Sequence, residues 1–288
     1  MAIKEAVSGA AGARGVRDGG GRTAASTARS GWNSLQRRVS GGVDGVGGFF
    51  AMTLDTFRYT FARPVQYREF VDQVWFIARV STFPTVVVAI PFTVLVTFIL
   101  NILLRELGAA DLSGASAAFG TITQIGPMVT VLIVAGAGAT ALCADLGSRT
   151  IHDEISALEV MGVDPVKRLV VPRVWASAFV GVLLNGLVCT IGILGGFAFS
   201  VLFQDVNPGA FVGNLTLLTG LSQLLIAVVK AGLFGLLAGL VGCYRGLTAR
   251  GGAKGVGEAV NETVVYAFIG LFVVNILVTA VGVKVAGS

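Results

Sequence analysis

Charged residues in this chain fall in clusters, and the stretches between them carry none. Residues 80–104, 112–144, 174–204 and 263–283 contain no Asp, Glu, Lys or Arg, and residues 206–244 are interrupted only by Lys230. No polar face recurs in these runs at about 3.6 residues, as a helix on the surface of a soluble core would require. A helix crossing roughly 30 Å of hydrocarbon needs about 20 apolar residues, and each run is long enough. The pattern predicts five spans, at about 82–104, 119–144, 170–203, 221–244 and 263–283, the third with a bend near Gly195-Gly196.

The segments before and between the spans differ in texture. Residues 1–48 are rich in Gly, Ala, Ser and Arg, a composition that cannot bury enough apolar surface to order itself. They are expected to form a disordered, basic cytoplasmic tail. Over residues 49–79, aromatic and aliphatic positions alternate with charges, and Phe50, Leu54, Phe57 and Phe61 share one helical face. This predicts an amphipathic helix lying in the headgroup region, broken near Pro64; a soluble amphipathic helix packed on a partner fits the same pattern. The expected fold class is therefore all-α and integral to a membrane: an interfacial helix, five transmembrane helices and a short cytoplasmic helix between the second and third.

Charge placement orients the chain. Of the 21 basic residues, eleven precede Val80. Arg149, Lys167, Arg168 and Arg173 lie between spans two and three, and Arg245, Arg250 and Lys254 between four and five, whereas the other two connections hold only Arg105. Basic loops remain on the cytoplasmic side, so the N-terminus is expected inside and the C-terminus outside a cytoplasmic membrane. The basic tail carries no nucleic-acid module, no early apolar stretch with a cleavage site marks a signal peptide, and Cys143, Cys189 and Cys243 read as small apolar helix residues.

The connection over 145–168, DLGSRTIHDEISALEVMGVDPVKR, is the most informative segment. Thr150 with Asp153 would cap a helix start, Ile151, Ile155, Leu158 and Gly162 line one face, Gly162 would end the helix, and Asp164-Pro165 would begin the next. A short rigid helix between two spans can transmit motion from a soluble partner; it can equally be a mere connector. In the second span, Gly126, Gly136, Gly138 and Ala139 permit close helix approach, as do Gly232, Gly235, Gly239 and Gly242 in the fourth. Such faces suit contact with another chain, the wall of an apolar cavity, or packing within one subunit. Pro84, Pro91 and Pro127 would kink their spans. Lys230, in the outer half of the fourth span, would either meet an anionic lipid group, snorkel outward, or pair with Glu106 or Asp111. His152 is the only histidine and no Walker A pattern occurs, so no catalytic site, bound metal or nucleotide is expected on this chain.

The stretch TQIGPMVTVLIVAGAGATALCADLGSRTIHDEISALEVMGVDPVKRLVVPRV, followed by VVKAGLFGLLAGLVGCYRGLTARGGAKGVGEAVNETVV, closely resembles the MlaE/YrbE permeases, the membrane subunits of Mce-type ABC lipid transporters. The resemblance covers roughly residues 50–285, and the AGAGATALCADLG variant is similar to the actinobacterial branch. It implies a non-catalytic permease with a coupling helix at about 148–162, whose Glu154, Ala157, Leu158 and Met161, with Gly162, Asp164 and Pro165 behind them, meet an ABC ATPase that binds ATP and Mg²⁺. It further implies a second YrbE-type permease chain, Mce-domain proteins and a hydrophobic lipid, such as a fatty or mycolic acid or a sterol, whose path or permease interface would involve Gly126, Pro127, Gly136, Gly138, Lys230, Gly235 and Gly239. Many members carry a basic residue where this chain has Gly136-Ala137-Gly138, so a role tied to that charge does not carry over. A stand-alone channel or secondary transporter should show several membrane-embedded charges or an inverted repeat, and a lipid-modifying enzyme should show clustered His, Asp or Ser; neither pattern occurs.

Overall fold

A computed structural model of the chain describes residues 45–60, 66–109, 112–204 and 206–286. Most of the expected tail, together with Pro64 and Asp111, lies outside these residues. The chain divides into two units, Met1–Ala51 and Met52–Ser288. In the first, residues 45–51 are helical, and the rings of Phe49 and Phe50 meet edge to face at 5.9 Å. This helix (α1, residues 45–60) therefore starts inside the stretch expected to be tail.

The second unit is all helix among the described residues. Five helices are long and apolar enough to cross a membrane: α2 (Tyr67–Glu106), α3 (Ser113–Ile151), α5 (Val166–Gln204), α7 (Leu221–Leu247) and α8 (Gly252–Ala286). Two shorter ones join them, α4 (Glu154–Val160) between α3 and α5, and α6 (Pro208–Asn214) after α5. The chain is a multi-pass membrane protein.

Helices α2 and α5 run the same way, with Glu69 meeting Arg173 at one end and Asn101 meeting Ser200 at the other. Their contact rests on a repeat of four. On α2, Ile77, Ser81, Thr85, Ala89, Thr93, Thr97 and Asn101 are all buried, and α5 answers with Gly192, Gly196 and Ser200. A methyl on Gly196 would stand 3.3 Å from Thr97 Oγ1, so the missing side chains are what let the helices close. Two of the buried hydroxyls are satisfied by their own helix, Thr85 donating to the Ser81 carbonyl at 2.6 Å and Thr93 to that of Ala89 at 2.7 Å, while Ser81 Oγ has no partner among the described residues. Left unpaired, each threonine hydroxyl would cost about 1–3 kcal/mol.

Helix α7 is held as closely. A methyl on Gly235 would fall on the carbonyl oxygen of Ser177, and one on Gly242 would lie 2.6 Å from that of Ala139. Two prolines follow widened turns, whereas Pro84 and Pro91 lie within the regular turns of α2. Thr121–Ile125 and Val166–Val170 are π-helical, with Gly126 N–H reaching Thr121 O and Val171 N–H reaching Val166 O, just ahead of Pro127 and Pro172. Proline lacks an N–H and crowds the carbonyl four residues back, and a wider turn accommodates both effects.

Several expectations change. The interfacial helix expected over 49–79 is not one element: residues 67–79 belong to α2, which continues through Pro84 and Pro91 to Glu106. At 40 residues α2 is about 60 Å long, twice the hydrocarbon thickness, so its charged first turns extend the span rather than lie beside it. Those charges serve the bundle, as Glu69 faces Arg173. The other four helices also overrun their predicted limits, α5 stays helical through Gly195-Gly196, and α6 was not expected. Helix α6 is capped by Asn207, whose Oδ1 accepts from Gly209 N–H at 2.8 Å, and is anchored by fully buried Phe211 against Phe197.

Candidate functional site

The joint between α3 and α5 is built from three local decisions. Helix α3 runs to Ile151, so Thr150 is interior and bonds back to the Leu146 carbonyl at 2.8 Å; the expected Thr150–Asp153 cap does not form. Asp153 instead takes φ 58°, a left-handed conformation that its short polar side chain tolerates, and turns the chain into α4. Gly162, at φ 75°, closes α4: its N–H reaches Glu159 O at 2.9 Å, and Val163 N–H reaches Leu158 O at 2.9 Å, the paired bonds of a Schellman end. Asp164 then caps α5, with Oδ1 accepting from Val166 N–H at 2.9 Å and Lys167 N–H at 3.4 Å, while Pro165 opens the first turn. The Tyr59 hydroxyl also donates to Asp164, and this bond to a carboxylate pushes the phenol above its usual range.

The coupling segment expected as one helix over about 148–162 is thus a bent piece, α4 set off from α3 by Asp153. Glu154, Ala157, Leu158 and Met161 do come together. They line one cavity of about 760 Å³ with Tyr67, Glu69 and Asp72 of α2, and with Arg149 and Arg168. Leu158 is half-buried, whereas Val160 (89 % exposed) and Met161 (67 %) project outward.

Beneath this cavity lies a charge network that the sequence reading missed. Arg173, counted there among the loop bases, sits within α5 and is fully buried. Its Nη2 donates to Asp145 Oδ2 at 2.7 Å and its Nη1 to the Leu169 carbonyl at 3.0 Å, with Glu69 Oε1 at 3.6 Å. Asp145 also meets Arg149 at 3.4 Å, and Arg149 lies 3.9 Å from Glu154 on α4. Charges from α2, α3, α4 and α5 are therefore linked in one chain. A signal existed: Asp145 and Arg173 are the first charges met on leaving two of the apolar runs at the same end of the bundle.

The remaining candidate residues do not gather at one point. Gly126 packs on α5, where a methyl would meet Asn185 Oδ1 at 2.8 Å; Gly235 and Gly239 pack against Ser177 within the chain; Gly138 lies in ordinary contact with Ile77; Pro127 is buried. Gly136 alone among these faces open space. It continues a strip of α3 in which Gln124, Met128 and Leu132 are exposed and Gly136 and Thr140 half-buried, on a helix whose other positions are mostly buried.

Lys230 is only 3 % exposed and makes no hydrogen bond or ion pair among the described residues, so it neither snorkels nor pairs with Glu106. It stands between two fixed levels of the α5–α7 contact. Ala231 O lies 2.7 Å from where Gly181 would carry a methyl, and Ala227 packs with Cys189 and Ile122. Buried Asn185 Oδ1 and Thr121 Oγ1 also lack a partner.

Comparison with known proteins agrees with this architecture. The family model described as Permease MlaE matches residues 70–281. The chain is similar to a probable ABC transporter permease protein of Synechocystis, 32% identical over 58% of this chain and 64% of that one. It is 27% identical to a probable ABC transporter permease protein of Rickettsia bellii over 88% of this chain and 98% of the relative. It is 29% identical to the intermembrane phospholipid transport system permease protein MlaE of Haemophilus influenzae, over 62% and 69% respectively. Against some of these relatives, Synechocystis among them, the match spans less than two thirds of their length.

Proposed function

We propose that this chain, which belongs to the MlaE permease family, is the membrane-spanning subunit of an ATP-driven lipid transporter and performs no hydrolysis itself. The observation that carries this reading is the α4 joint. A short helix fixed at both ends by left-handed residues, presenting Val160 and Met161 outward and tied by Arg149 to the buried Arg173 network, suits a lever pushed by another protein. The relatives named as ABC transporter permeases support an ATPase as that protein, with ATP and Mg²⁺ bound there. The Haemophilus relative's name supports a phospholipid or related lipid as cargo.

In this reading the end of the bundle bearing α4 faces the cytoplasm, the N-terminus lies inside the cytoplasmic membrane and the C-terminus outside. A second YrbE-type permease covers the open strip of α3 around Gly136, with an Mce-domain assembly beyond. Lys230, with Asn185 and Thr121, receives an anionic lipid group such as a fatty-acid carboxylate on its way through. Motion of α4 reaches the spans through Arg149, Asp145 and Arg173, so the stroke moves α2, α3 and α5 together. The test is to purify the complex and introduce Leu158→Glu and Met161→Glu. We expect loss of the ATPase subunit and of lipid transport; retention of both would rule out α4 as the coupling element.

A further inference from the structure

A second cavity, of about 730 Å³, opens at the flank of the bundle between Tyr59 and Thr60 of α1, the start of α2 from Tyr67, and α5 and α7. Its wall is almost wholly apolar; Tyr59, Gln66, Tyr67 and Lys167 supply its polar groups toward the start of α5, and the one further along, Thr60 Oγ1, is taken up by the Trp175 indole N–H. Deeper, the lining is Phe179 and Val182 from α5 and Val229 and Leu233 from α7. These side chains are uncovered, Val229 at 56 % and Phe179 at 49 %, so the cleft is open to whatever surrounds the bundle.

We infer that this cleft binds one anionic lipid of the surrounding bilayer, separate from any transported cargo: headgroup at Lys167, acyl chain along Phe179, Val182 and Leu233. The dimensions fit. From Lys167 to Val182, α5 rises about 22 Å, enough for a headgroup and a chain crossing the roughly 15 Å of one hydrocarbon leaflet. The gradient fits as well, because a basic and hydroxyl-rich end above an apolar trough matches a lipid standing upright in its own leaflet. A partner helix would more naturally meet polar groups along its length. The adjoining Asp164 keeps its charge, and its Oδ1 is turned to the N–H groups of Val166 and Lys167 in the first turn of α5. Trp175 lines the cleft with its indole N–H committed to Thr60 Oγ1 at 2.9 Å, leaving the ring as a reporter.

Trp175 supplies the test. In the full chain with Trp32→Phe and Trp75→Phe, it is the sole tryptophan left of three. The protein is reconstituted into phosphatidylcholine nanodiscs containing increasing fractions of chain-brominated phosphatidylglycerol or chain-brominated phosphatidylcholine. One lysine at a membrane surface favours an anionic headgroup by about fivefold, so half-quenching should need about five times less of the brominated phosphatidylglycerol. Lys167→Gln should abolish that preference and Lys167→Arg keep it. Gly232→Leu, whose Cβ meets Val182 at an ordinary 3.5 Å, should fill the trough and remove the excess quenching by either lipid. Equal quenching by both lipids in the parent protein, no quenching by either, a preference that survives Lys167→Gln, or excess quenching that survives Gly232→Leu would each overturn the assignment.

Discussion

Removing Arg173 tests the buried network most sharply, because its two strongest partners are known. The guanidinium is wholly buried, its 2.7 Å bond to Asp145 joins two charged groups, and Asp145 is itself about two-thirds buried. A hydrogen bond between charged groups contributes about 1.5–3 kcal/mol. The Glu69 contact, at 3.6 Å and 35% exposed on the carboxylate side, is discounted to below about 1 kcal/mol. Arg173→Met keeps the buried stem and leaves Asp145 with Arg149, so the expected loss is about 2–3 kcal/mol. Asp145→Asn is expected to cost more, about 3–5 kcal/mol, because it strands a buried cation. The double variant should lose less than the sum, with a coupling of about 1.5–3 kcal/mol. Equilibrium unfolding in detergent micelles, followed by tryptophan fluorescence, measures all four corners of the cycle. Coupling below about 0.5 kcal/mol, the error of simple additivity, would refute the claim that these two charges hold α3 to α5.

Other expectations follow from the same contacts. Gly242→Ala should destabilise by about 1–3 kcal/mol, since its methyl meets backbone at 2.6 Å, whereas Gly136→Ala, facing open space, should be near neutral in the same unfolding assay. Lys230→Met should leave the fold intact or firmer, because it removes a buried charge that has no partner among the described residues, yet reduce transport of an anionic lipid at least tenfold in a vesicle assay; unchanged transport would take Lys230 out of the path. The Tyr59–Asp164 bond should persist through the ordinary phenol range and be lost as pH rises above it, so Asp164→Asn should shift the Tyr59 ultraviolet titration, identified by difference from Tyr59→Phe, to lower pH.

The number of spans was legible because the absence of charge over some twenty residues has one dominant cause, the hydrocarbon slab. Helix ends were less so, because hydropathy reports where lipid is and the helices α2 and α8 continue well beyond it. The Ser/Thr stripe of α2 escaped notice since small hydroxyls such as those of Thr85 and Thr93 bond back to their own helix and hardly alter an apolar run. Gly162 and Asp164-Pro165 were readable, as each satisfies a local backbone demand. Thr150 was misread for the converse reason: tertiary packing extended α3 past a residue whose local chemistry suits a start. Arg173 shows the limit most clearly, because whether a boundary arginine faces water or a buried aspartate depends on where a second helix ends.

Topology decides the coupling account. With Val160→Cys, at an 89 % exposed position on α4, as the reactive site against three natural cysteines that are all buried, a membrane-impermeant maleimide can be applied to intact cells and to inverted membrane vesicles. The account predicts labelling in the inverted vesicles and protection in the cells. Labelling from outside intact cells would place α4 out of reach of any cytoplasmic ATPase and contradict it.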